Sequence, residues 1–237
     1  NEAFVIDAEI KNRLIAEDPK SAEIIKPFLA GRDIKRYQKP QSDKYLIFTK
    51  RGIDIEQYPA IKNYLSSFRQ NLEPKPKDFK GDNWPGRKAG SYKWYEIQDA
   101  VDYYLEFEKN KIIYPNICKQ PEFTLDDSGK YTNQKCFIIP NGSRVLLSIL
   151  NSRLTFFLFK NILPKLRGDF YEPSYIYLKD FPILDIDDTS VFDSLVDRVI
   201  IQKANNNSSI DLETQIDQLV YQLYGLTNEE IKIVEGE

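Results

Sequence analysis

Three stretches of this sequence combine residues that could bind a polyanion: cations interleaved with aromatic and small polar side chains. They span residues 31–37, 87–95 and 164–171 of the 237. Lysine and arginine neutralise phosphates and release counterions, polar groups can read base edges, and aromatic rings can stack on unstacked bases. Each stretch alone is weak evidence, because such cations are often paired on a surface and such aromatic residues often belong to a core. Together the three stretches favour binding of a nucleic acid.

Residue types that catalysis and metal binding require are scarce in this sequence. It has no His, which excludes a Ser-His-Asp triad and His-ligated zinc, and its two cysteines have no metal-ligand spacing. It has no Gly-x-Gly-x-x-Gly or Gly-Lys-Ser/Thr motif for a nucleotide. Since no two prolines are adjacent, the Asn/Asp-Pro-Pro-aromatic motif of adenine methyltransferases is also absent. We therefore predict neither catalytic nor metal-ligating residues.

Two acidic patterns have both a structural and a functional interpretation. Acid-x-Lys triplets fall on predicted helices or loops rather than on a strand beside an earlier Asp, which disfavours a nuclease site. Asp185, Asp187 and Asp188 could bind a cation, but acidic residues at the start of a helix more commonly complement the helix dipole. We expect these three aspartates to complement the dipole of the helix that follows them.

Charge is distributed unevenly along the chain, although its net value is only −3. Residues 31–95 carry 15 Lys and Arg against 7 Asp and Glu, and residues 144–179 carry 6 against 2, whereas residues 180–237 carry 3 against 13. Two basic blocks and an acidic tail predict one surface that faces an anion. A tail of acidic helices with solvated faces explains the same numbers equally well.

The composition indicates a soluble globular protein, with 41% apolar and 29% charged residues. The longest near-apolar stretch, residues 145–163, is interrupted by polar residues and is a poor membrane span. Two lone cysteines fit a reducing compartment, so we expect a cytoplasmic protein that does not contact a membrane. The chain begins with Asn and contains no Met, which leads us to expect a piece of a longer polypeptide.

Hydrophobic spacing predicts an α+β fold. We expect mixed or antiparallel strands with helices in a first domain over 1–187, followed by a helical C-terminal segment over 188–237. The turn at 126–129 is expected to lie within a hairpin that residues 134–139 complete, and residues 94–97 are expected to form a strand.

Four sequence signals predict helices. An apolar stripe over 61–72 indicates a single helix, and a second, longer helix is expected over 143–163. Capping boxes are expected at 190–193 and at 227–230. Between these boxes, the polar run at 205–209 indicates a linker or a helix-hairpin loop.

Residues 25–37 resemble the "KPFLRGRDIKRY" signature of TaqI-like C-terminal specificity domains. These domains belong to type IIG restriction–modification enzymes and related adenine-specific DNA methyltransferases. The resemblance covers nearly the whole chain, because further matches follow in the order of the family. They are residues 94–97 (WYEI), 111–117 (KIIYPNI), 123–126 (FTLD), 136–140 (CFIIP), 150–154 (LNSRL), 164–168 (PKLRG), 177–178 (YL), 181–183 (FPI) and 216–231.

The resemblance implies a target-recognition domain that binds double-stranded DNA in restriction–modification, and therefore in phage defence. In the family, methyltransferase and nuclease modules lie N-terminal to this region, so we expect this chain not to be an enzyme by itself. The parent is then a site-specific adenine DNA methyltransferase, with or without a fused type II restriction endonuclease. We expect no cofactor in this chain, and S-adenosylmethionine and Mg²⁺ only in those N-terminal modules, which would be its partners in the same polypeptide.

The basic stretches supply the residues that we predict to contact DNA. Trp84 is expected to brace the loop around it or to insert at a groove. A protein-interaction module of a phage-defence assembly, whose basic block binds an acidic partner, is the alternative, and an independent nuclease is a third possibility. The predicted phosphate contacts are Lys35, Lys88, Lys93 and Lys165. The predicted base or groove contacts are Arg32, Arg36, Arg87, Ser91, Tyr92 and Arg167.

Overall fold

The computed structural model describes residues 3–184 and 186–236. The strand pairs within each of its two compact units are antiparallel and are accompanied by helices, which confirms the predicted α+β class. The predicted domain boundary between residues 187 and 188 stays a prediction. The first unit takes in residues 3–28 and 42–105, and the second unit takes in residues 29–41 and those from 106 onward.

Among the described residues of the first unit are three short strands and three α-helices. They are β1 (Val5–Ile6), α1 (Ala8–Glu17), β2 (Ile25–Leu29), β3 (Lys44–Ile47), α2 (Pro59–Ser66) and α3 (Arg69–Leu72). In this unit β3 lies between β1 and β2, with Val5 opposite Leu46 and Ile25 opposite Ile47. The apolar residues of the strands and helices share one core.

The apolar stripe over 61–72 forms two helices, so the prediction of a single helix is wrong. The hydroxyls of Ser66 and Ser67 donate to the carbonyl oxygens of Lys62 and Tyr64, each at 2.7 Å. Such side-chain bonds compete with the backbone bonds that would continue a helix. The chain therefore turns between α2 and α3, while the stripe still contributes to the core of the first unit.

The strand predicted at 94–97 is also wrong, because this segment is a series of turns. Its polar groups are used locally: the Glu96 carboxylate accepts from the N–H groups of Lys93 and Gly52, at 2.8 and 2.9 Å. Arg87 binds two carbonyl oxygens of the same segment, those of Trp94 and Glu96, and the carbonyl of Lys93 directly before it. A strand would need those backbone groups for a neighbouring strand.

Six short strands belong to the second unit. They are β4 (Lys111–Pro115), β5 (Thr124–Asp126), β6 (Tyr131–Thr132), β7 (Cys136–Pro140), β8 (Lys165–Leu166) and β9 (Phe170–Tyr171). The predicted hairpin is wrong: β5 and β7 do not pair with each other but flank β4. All five residues of β4 are buried, which places this strand at the centre of the sheet. Lys111 of β4 forms a buried ion pair with Asp126 of β5 at 2.6 Å, which fixes the pairing.

The helices of the second unit surround its core. They are α4 (Arg144–Asn151), α5 (Arg153–Ile162), α6 (Tyr175–Leu178), α7 (Ser190–Ala204), α8 (Ile210–Leu223) and α9 (Asn228–Glu235). The single helix predicted over 143–163 is wrong, because α4 and α5 meet at Ser152 with a bend of 54°. The Ser152 hydroxyl accepts from the Thr155 N–H at 3.1 Å and so caps a new helix. Among the described residues no single helix is long and apolar enough to cross a membrane, although α4 and α5 pass that test as a bent pair.

The helical tail follows most of its sequence signals. The capping box at 227–230 is confirmed, and residues 205–209 connect α7 to α8 as predicted. The capping box predicted at 190–193 is wrong: Thr189 precedes the first turn, its side chain caps no backbone N–H, and its hydroxyl instead donates to the Asp193 carboxylate at 2.7 Å. The apolar faces of α7 and α8 pack in one core with α4 and β4.

Candidate nucleic-acid interface

Arg87 organises a basic loop, residues 73–98, in the first unit. The residue is only 7% exposed, and its guanidinium donates to four backbone carbonyl oxygens. A planar fork with five N–H donors can satisfy several acceptors at once. These bonds connect separate turns of the loop, so the loop is held in one conformation. The acceptors belong to Leu72 (2.7 Å), Glu96 (2.8 Å), Trp94 (2.9 Å) and Lys93 (3.1 Å).

Trp84 makes a second set of contacts within the basic loop. Its indole N–H donates to the Glu73 carbonyl at 3.0 Å, and its ring lies edge-on to Phe79 at 5.1 Å. Gly86 permits this arrangement, because a Cβ at that position would lie only 2.6 Å from the Trp84 indole nitrogen. Trp84 thus stabilises the loop, and its insertion at a DNA groove stays a prediction.

Tyr92 lies under the tip of the basic loop. The Arg87 guanidinium is 4.3 Å from the centre of the Tyr92 ring, which is a favourable cation–π distance. The Tyr92 hydroxyl donates to the Lys88 carbonyl and closes the tip. Tyr92 is therefore buried, and its predicted role at a base or groove would require it to leave this position.

Arg51 belongs to the same surface, although the sequence analysis missed it. Its guanidinium donates to the Gln98 carbonyl at 2.6 Å and to the Ser91 hydroxyl at 3.3 Å, and lies 6.0 Å from the Tyr92 ring. The available signal was the Lys-Arg-Gly run at 50–52, separated by two residues from the end of β3, which is a basic pair in a turn. The structure thus adds Arg51, an exposed cation outside the basic loop, to the exposed cations of the loop itself.

The outer surface of the basic loop presents Lys88, Ser91 and Lys93, all of which are exposed. The Lys88 amino group has no hydrogen bond or ion pair within residues 3–184 and 186–236. Lys93 lies 5.5 Å from the Tyr95 ring, and a hydrogen bond with that side chain raises the pKa of Lys93. The loop therefore turns its arginine and tyrosine inward and its lysines and serine outward.

The 31–37 segment in the second unit presents two more predicted cations. The Arg32 side chain is 84% exposed and lies 3.8 Å from the Asp33 carboxylate, too far for a strong ion pair. Lys35 is also exposed, and its amino group makes no hydrogen bond or ion pair with the described part of the chain. Both side chains are therefore accessible to a ligand.

Arg36 in the same segment is held inside the second unit. Its guanidinium donates to the Glu213 carboxylate at 2.6 Å and to the Asn151 carbonyl. Burial alone would raise the pKa of Glu213, but Arg36, Ser209 and Lys203 together bring it below its ordinary value. Arg36 thus joins the segment to α8, and the acidic tail supplies the carboxylate.

The hairpin of β8 and β9 carries the remaining predicted cations, Lys165 and Arg167. Positive φ values at Gly168 (82°) and Asp169 (61°) form its tight turn. Lys165 pairs with Asp169 at 2.8 Å, and this hydrogen bond raises the pKa of Lys165. Arg167 is exposed at the turn and has no ion pair or hydrogen bond with described residues.

No group of His, Cys, Asp and Glu side chains among the described residues is arranged to hold a metal ion. Asp188 accepts a hydrogen bond from the Ser190 N–H at 3.0 Å, as a residue at the start of a helix does. Asp187 is exposed, and Asp185 lies outside the described residues.

The eleven predicted contact residues fall into two groups, and each group lies in one unit. The first unit brings Trp84, Arg87, Lys88, Ser91, Tyr92 and Lys93 together in the basic loop. The second unit holds Arg32, Lys35, Arg36, Lys165 and Arg167.

Both units are α+β, and each carries exposed cations on loops or turns. The family described as "TaqI-like C-terminal specificity domain" matches residues 26–183, about two thirds of the chain. The chain belongs to this family of specificity domains of restriction–modification enzymes.

Two longer proteins resemble the chain. The Type II methyltransferase M.BanIII of Aneurinibacillus aneurinilyticus is 26% identical over 194 residues, which cover 75% of this chain and 30% of that protein. The solved structure of the Type IIL restriction-modification enzyme MmeI in complex with DNA superposes with a TM-score of 0.65 and 15% identity, covering 98% of this chain and 32% of MmeI. At this identity the likeness shows the fold alone. The chain spans less than a third of the length of either protein.

Proposed function

We propose that this chain is the DNA target-recognition region of a restriction–modification adenine DNA methyltransferase. In this role its cations bind the phosphates of duplex DNA, and its loops read a short sequence through the major groove. The reading fixes which adenine is presented, flipped out of the helix, to a catalytic module. The observation that carries the proposal is the basic loop, in which a buried arginine holds exposed lysines in fixed positions.

We divide the predicted residues into those that are exposed, and can contact DNA, and those whose bonds keep the exposed residues in place. We assign phosphate or base contacts to the exposed side chains. Arg36, Arg87 and Tyr92 are largely buried by the bonds that hold them, so we propose that they position the others. The bonds of Arg51, Ser91 and Lys165 lie at the exposed surface, where DNA can replace them. The exposed candidates are Arg32, Lys35, Lys88, Ser91, Lys93, Lys165 and Arg167, together with Arg51.

A binding experiment with the 237-residue chain tests the proposal. The dissociation constant for a short random duplex is measured by fluorescence anisotropy between about 50 and 200 mM salt, where phosphate contacts weaken binding steeply. Lys88→Ala is expected to weaken binding and to reduce the salt slope by about 1. Lys20→Ala is the matched control in the same unit, since Lys20 is exposed but bonded to Gln57 at 2.6 Å.

Two outcomes would contradict the proposal. If the chain binds no duplex, the proposal is wrong; if it binds an acidic protein and not DNA, the interaction-module alternative is correct. If Lys88→Ala and Lys20→Ala give the same salt slope, the basic loop does not contact phosphates. Metal-dependent cleavage of DNA by the chain alone would instead favour a nuclease.

We further propose that methyltransferase and nuclease modules of the same polypeptide act on the bound DNA in the cytoplasm. In this arrangement those modules, and not the specificity domain, bind S-adenosylmethionine and Mg²⁺. The similarity to a methyltransferase more than twice as long supports this arrangement. Exchanging the 73–98 segment for that of another specificity domain in the full polypeptide is expected to change the methylated sequence. Sequencing that detects N6-methyladenine reads the result, and an unchanged target sequence would place the reading residues elsewhere.

A further inference from the structure

Three segments of the second unit meet where β4 ends and β7 begins. Strand β4 ends at Pro115, and the following Asn116 donates its backbone N–H to the carbonyl of Lys135, the residue before β7, at 2.9 Å. The turn at Gly31 packs against the same place, because a Cβ on Gly31 would lie 3.0 Å from that carbonyl oxygen and 3.7 Å from the Cβ of Pro115. The residue after this glycine, Arg32, is thereby brought beside the other two segments. We call Arg32, Asn116 and Lys135 the strand-end cluster.

The backbone that carries the strand-end cluster is fixed by local bonds and by packing. The Asn133 side chain accepts a hydrogen bond from the Lys135 N–H at 2.9 Å, and the Asn133 carbonyl accepts one from the Cys136 N–H at 3.0 Å. The three segments also share a small buried core, made of Leu29, Ile34, Ile113 and Cys136. A surface whose backbone is fixed in advance loses less conformational entropy when it binds a ligand.

The side chains of the strand-end cluster are accessible to a ligand. Arg32 is 84% exposed, Lys135 is exposed and Asn116 is half-buried. In the described part of the chain, the Asn116 amide and the Lys135 amino group make no hydrogen bond or ion pair. The cluster thus presents an amide donor, an amide acceptor and an ammonium group that the fold itself does not use.

The three segments that form the strand-end cluster carry a net positive charge. Asp33 is the one acidic residue in segments 29–35, 114–117 and 132–136. Its carboxylate accepts a backbone N–H from its own turn at 2.8 Å. Against this one acid stand the two cations of the cluster and Lys35. The cluster therefore suits a ligand that carries negative charge.

The three types of side chain in the strand-end cluster match a duplex that is read through its major groove. An asparagine amide donates to N7 of adenine and accepts from its N6 amino group, whereas a guanidinium donates to O6 and N7 of guanine. An ammonium group binds a phosphate as a point charge. The carboxylates of an acidic protein would pair with the two cations but would occupy only the donor of the amide.

We propose that Asn116 is a specificity-determining residue that reads an adenine in the major groove. Arg32 contacts the DNA next to it, and Lys135 binds a neighbouring phosphate. This inference rests on the proposed function, because it requires that the chain bind duplex DNA. It adds Asn116 and Lys135, which the sequence analysis missed, to the exposed contacts of the second unit.

Sequencing of the duplexes that the 237-residue chain enriches from a randomised library tests this role. We expect Asn116→Ala to reduce the preference for one A·T pair from about tenfold to less than about twofold, and to leave the other positions of the enriched sequence unchanged. Lys135→Ala is expected to weaken the binding of all sequences alike and to reduce the salt slope by about 1.

Two matched controls lie in the acidic tail. Asn207→Ala removes an exposed amide between α7 and α8, and Lys232→Ala removes an exposed ammonium group on α9. Both are expected to keep the enriched sequence and the salt slope of the wild type. None of the four substituted side chains makes a hydrogen bond or ion pair with described residues, so thermal unfolding of the variants is expected to match that of the wild type.

A modified adenine provides a second readout at the level of one atom. 7-Deazaadenine still pairs with thymine but lacks the N7 acceptor in the major groove. At the A·T pair that Asn116→Ala affects, this base is expected to weaken binding of the wild-type chain about fivefold and binding of Asn116→Ala less than about twofold.

The outcomes distinguish this inference from the proposed function. If the chain binds duplex DNA with a salt slope but Asn116→Ala keeps the wild-type preference at every position, the role of Asn116 is wrong and the proposed function stands. The same conclusion follows if substitution of the neighbouring exposed amide, Gln134→Ala, removes a preference that Asn116→Ala keeps. An unchanged salt slope for Lys135→Ala overturns its phosphate contact. If the chain binds no duplex, the inference and the proposed function are both wrong.

Discussion

Replacing Arg87 by alanine tests whether the basic loop depends on one buried guanidinium. The substitution removes the donor of four hydrogen bonds and leaves the carbonyl oxygens of Leu72 and Glu96 buried without that partner. The carbonyls of Lys93 and Trp94 are partly exposed and can bind water instead. The loss therefore comes mainly from the two buried acceptors.

The magnitude follows from these contacts. A buried polar group without a partner costs roughly 1–3 kcal/mol, and the lost cation–π contact with Tyr92 costs roughly 0.5–1 kcal/mol. Arg87→Ala is thus expected to lower the free energy of unfolding by about 4 kcal/mol. Arg87→Lys keeps a charge but not a planar fork, so it is expected to recover less than half of that loss.

Tryptophan fluorescence during urea unfolding measures this effect where it occurs. Both tryptophans of the chain, Trp84 and Trp94, lie in the basic loop, so the signal reports on the first unit. Lys88→Ala is the control, because Lys88 follows Arg87 in the chain and its side chain is exposed. This substitution is expected to change the free energy of unfolding by no more than about 0.5 kcal/mol. A loss below about 1 kcal/mol for Arg87→Ala, or full recovery by Arg87→Lys, would refute the reasoning.

Three further results are expected from buried contacts. Asp126→Asn leaves the Lys111 ammonium buried without its carboxylate, and should lower the free energy of unfolding by about 3–5 kcal/mol in urea titrations. Burial raises the pKa of Asp126, but the hydrogen bonds from Lys111 and Ser128 outweigh it and leave the pKa below its ordinary 3.8. The stability from this ion pair should therefore be present above about pH 4 and be lost as the pH falls further. Acid titration followed by circular dichroism measures this loss. Asp126→Asn should weaken this acid-dependent loss, and an unchanged acid limb would contradict the assignment. Gly86→Ala places a Cβ 2.2 Å from the Glu73 carbonyl oxygen and 2.6 Å from the Trp84 indole nitrogen, and should shift the fluorescence spectrum of the folded chain. Gly52→Ala strains the backbone at a φ of 79° but has nothing within 4 Å of the added Cβ, so it should lower the stability without shifting that spectrum.

Local signals in the sequence predicted the class of fold and several helix ends. The capping box at 227–230 depends only on residues three apart, so it forms wherever the chain is helical. The helix over 143–163 was predicted as one element because its apolar spacing continues through Ser152. That hydroxyl both ends one helix and caps the next, and apolar spacing does not report such a bond.

Local signals in the sequence did not predict which strands pair with each other. The turn at 126–129 suggested that the segments on either side pair with each other. In the structure both pair with β4, because this fully buried strand has to lie between two neighbours and because Lys111 needs the carboxylate of Asp126. Which strand is central depends on burial across the whole unit, and burial is a property of the folded chain.

The sequence by itself determined the uneven distribution of charge, with two basic blocks and an acidic helical tail, and its motifs determined the family. Only the tertiary structure decided which cations face outward. Arg36 and Arg87 look like Lys35 and Lys88 in the sequence, but distant carbonyl and carboxylate groups bind the two arginines inside the fold and leave the two lysines in solvent. The direction of a charged side chain is set by the partners that folding brings to it, because burying a charge is favourable only where such partners are waiting.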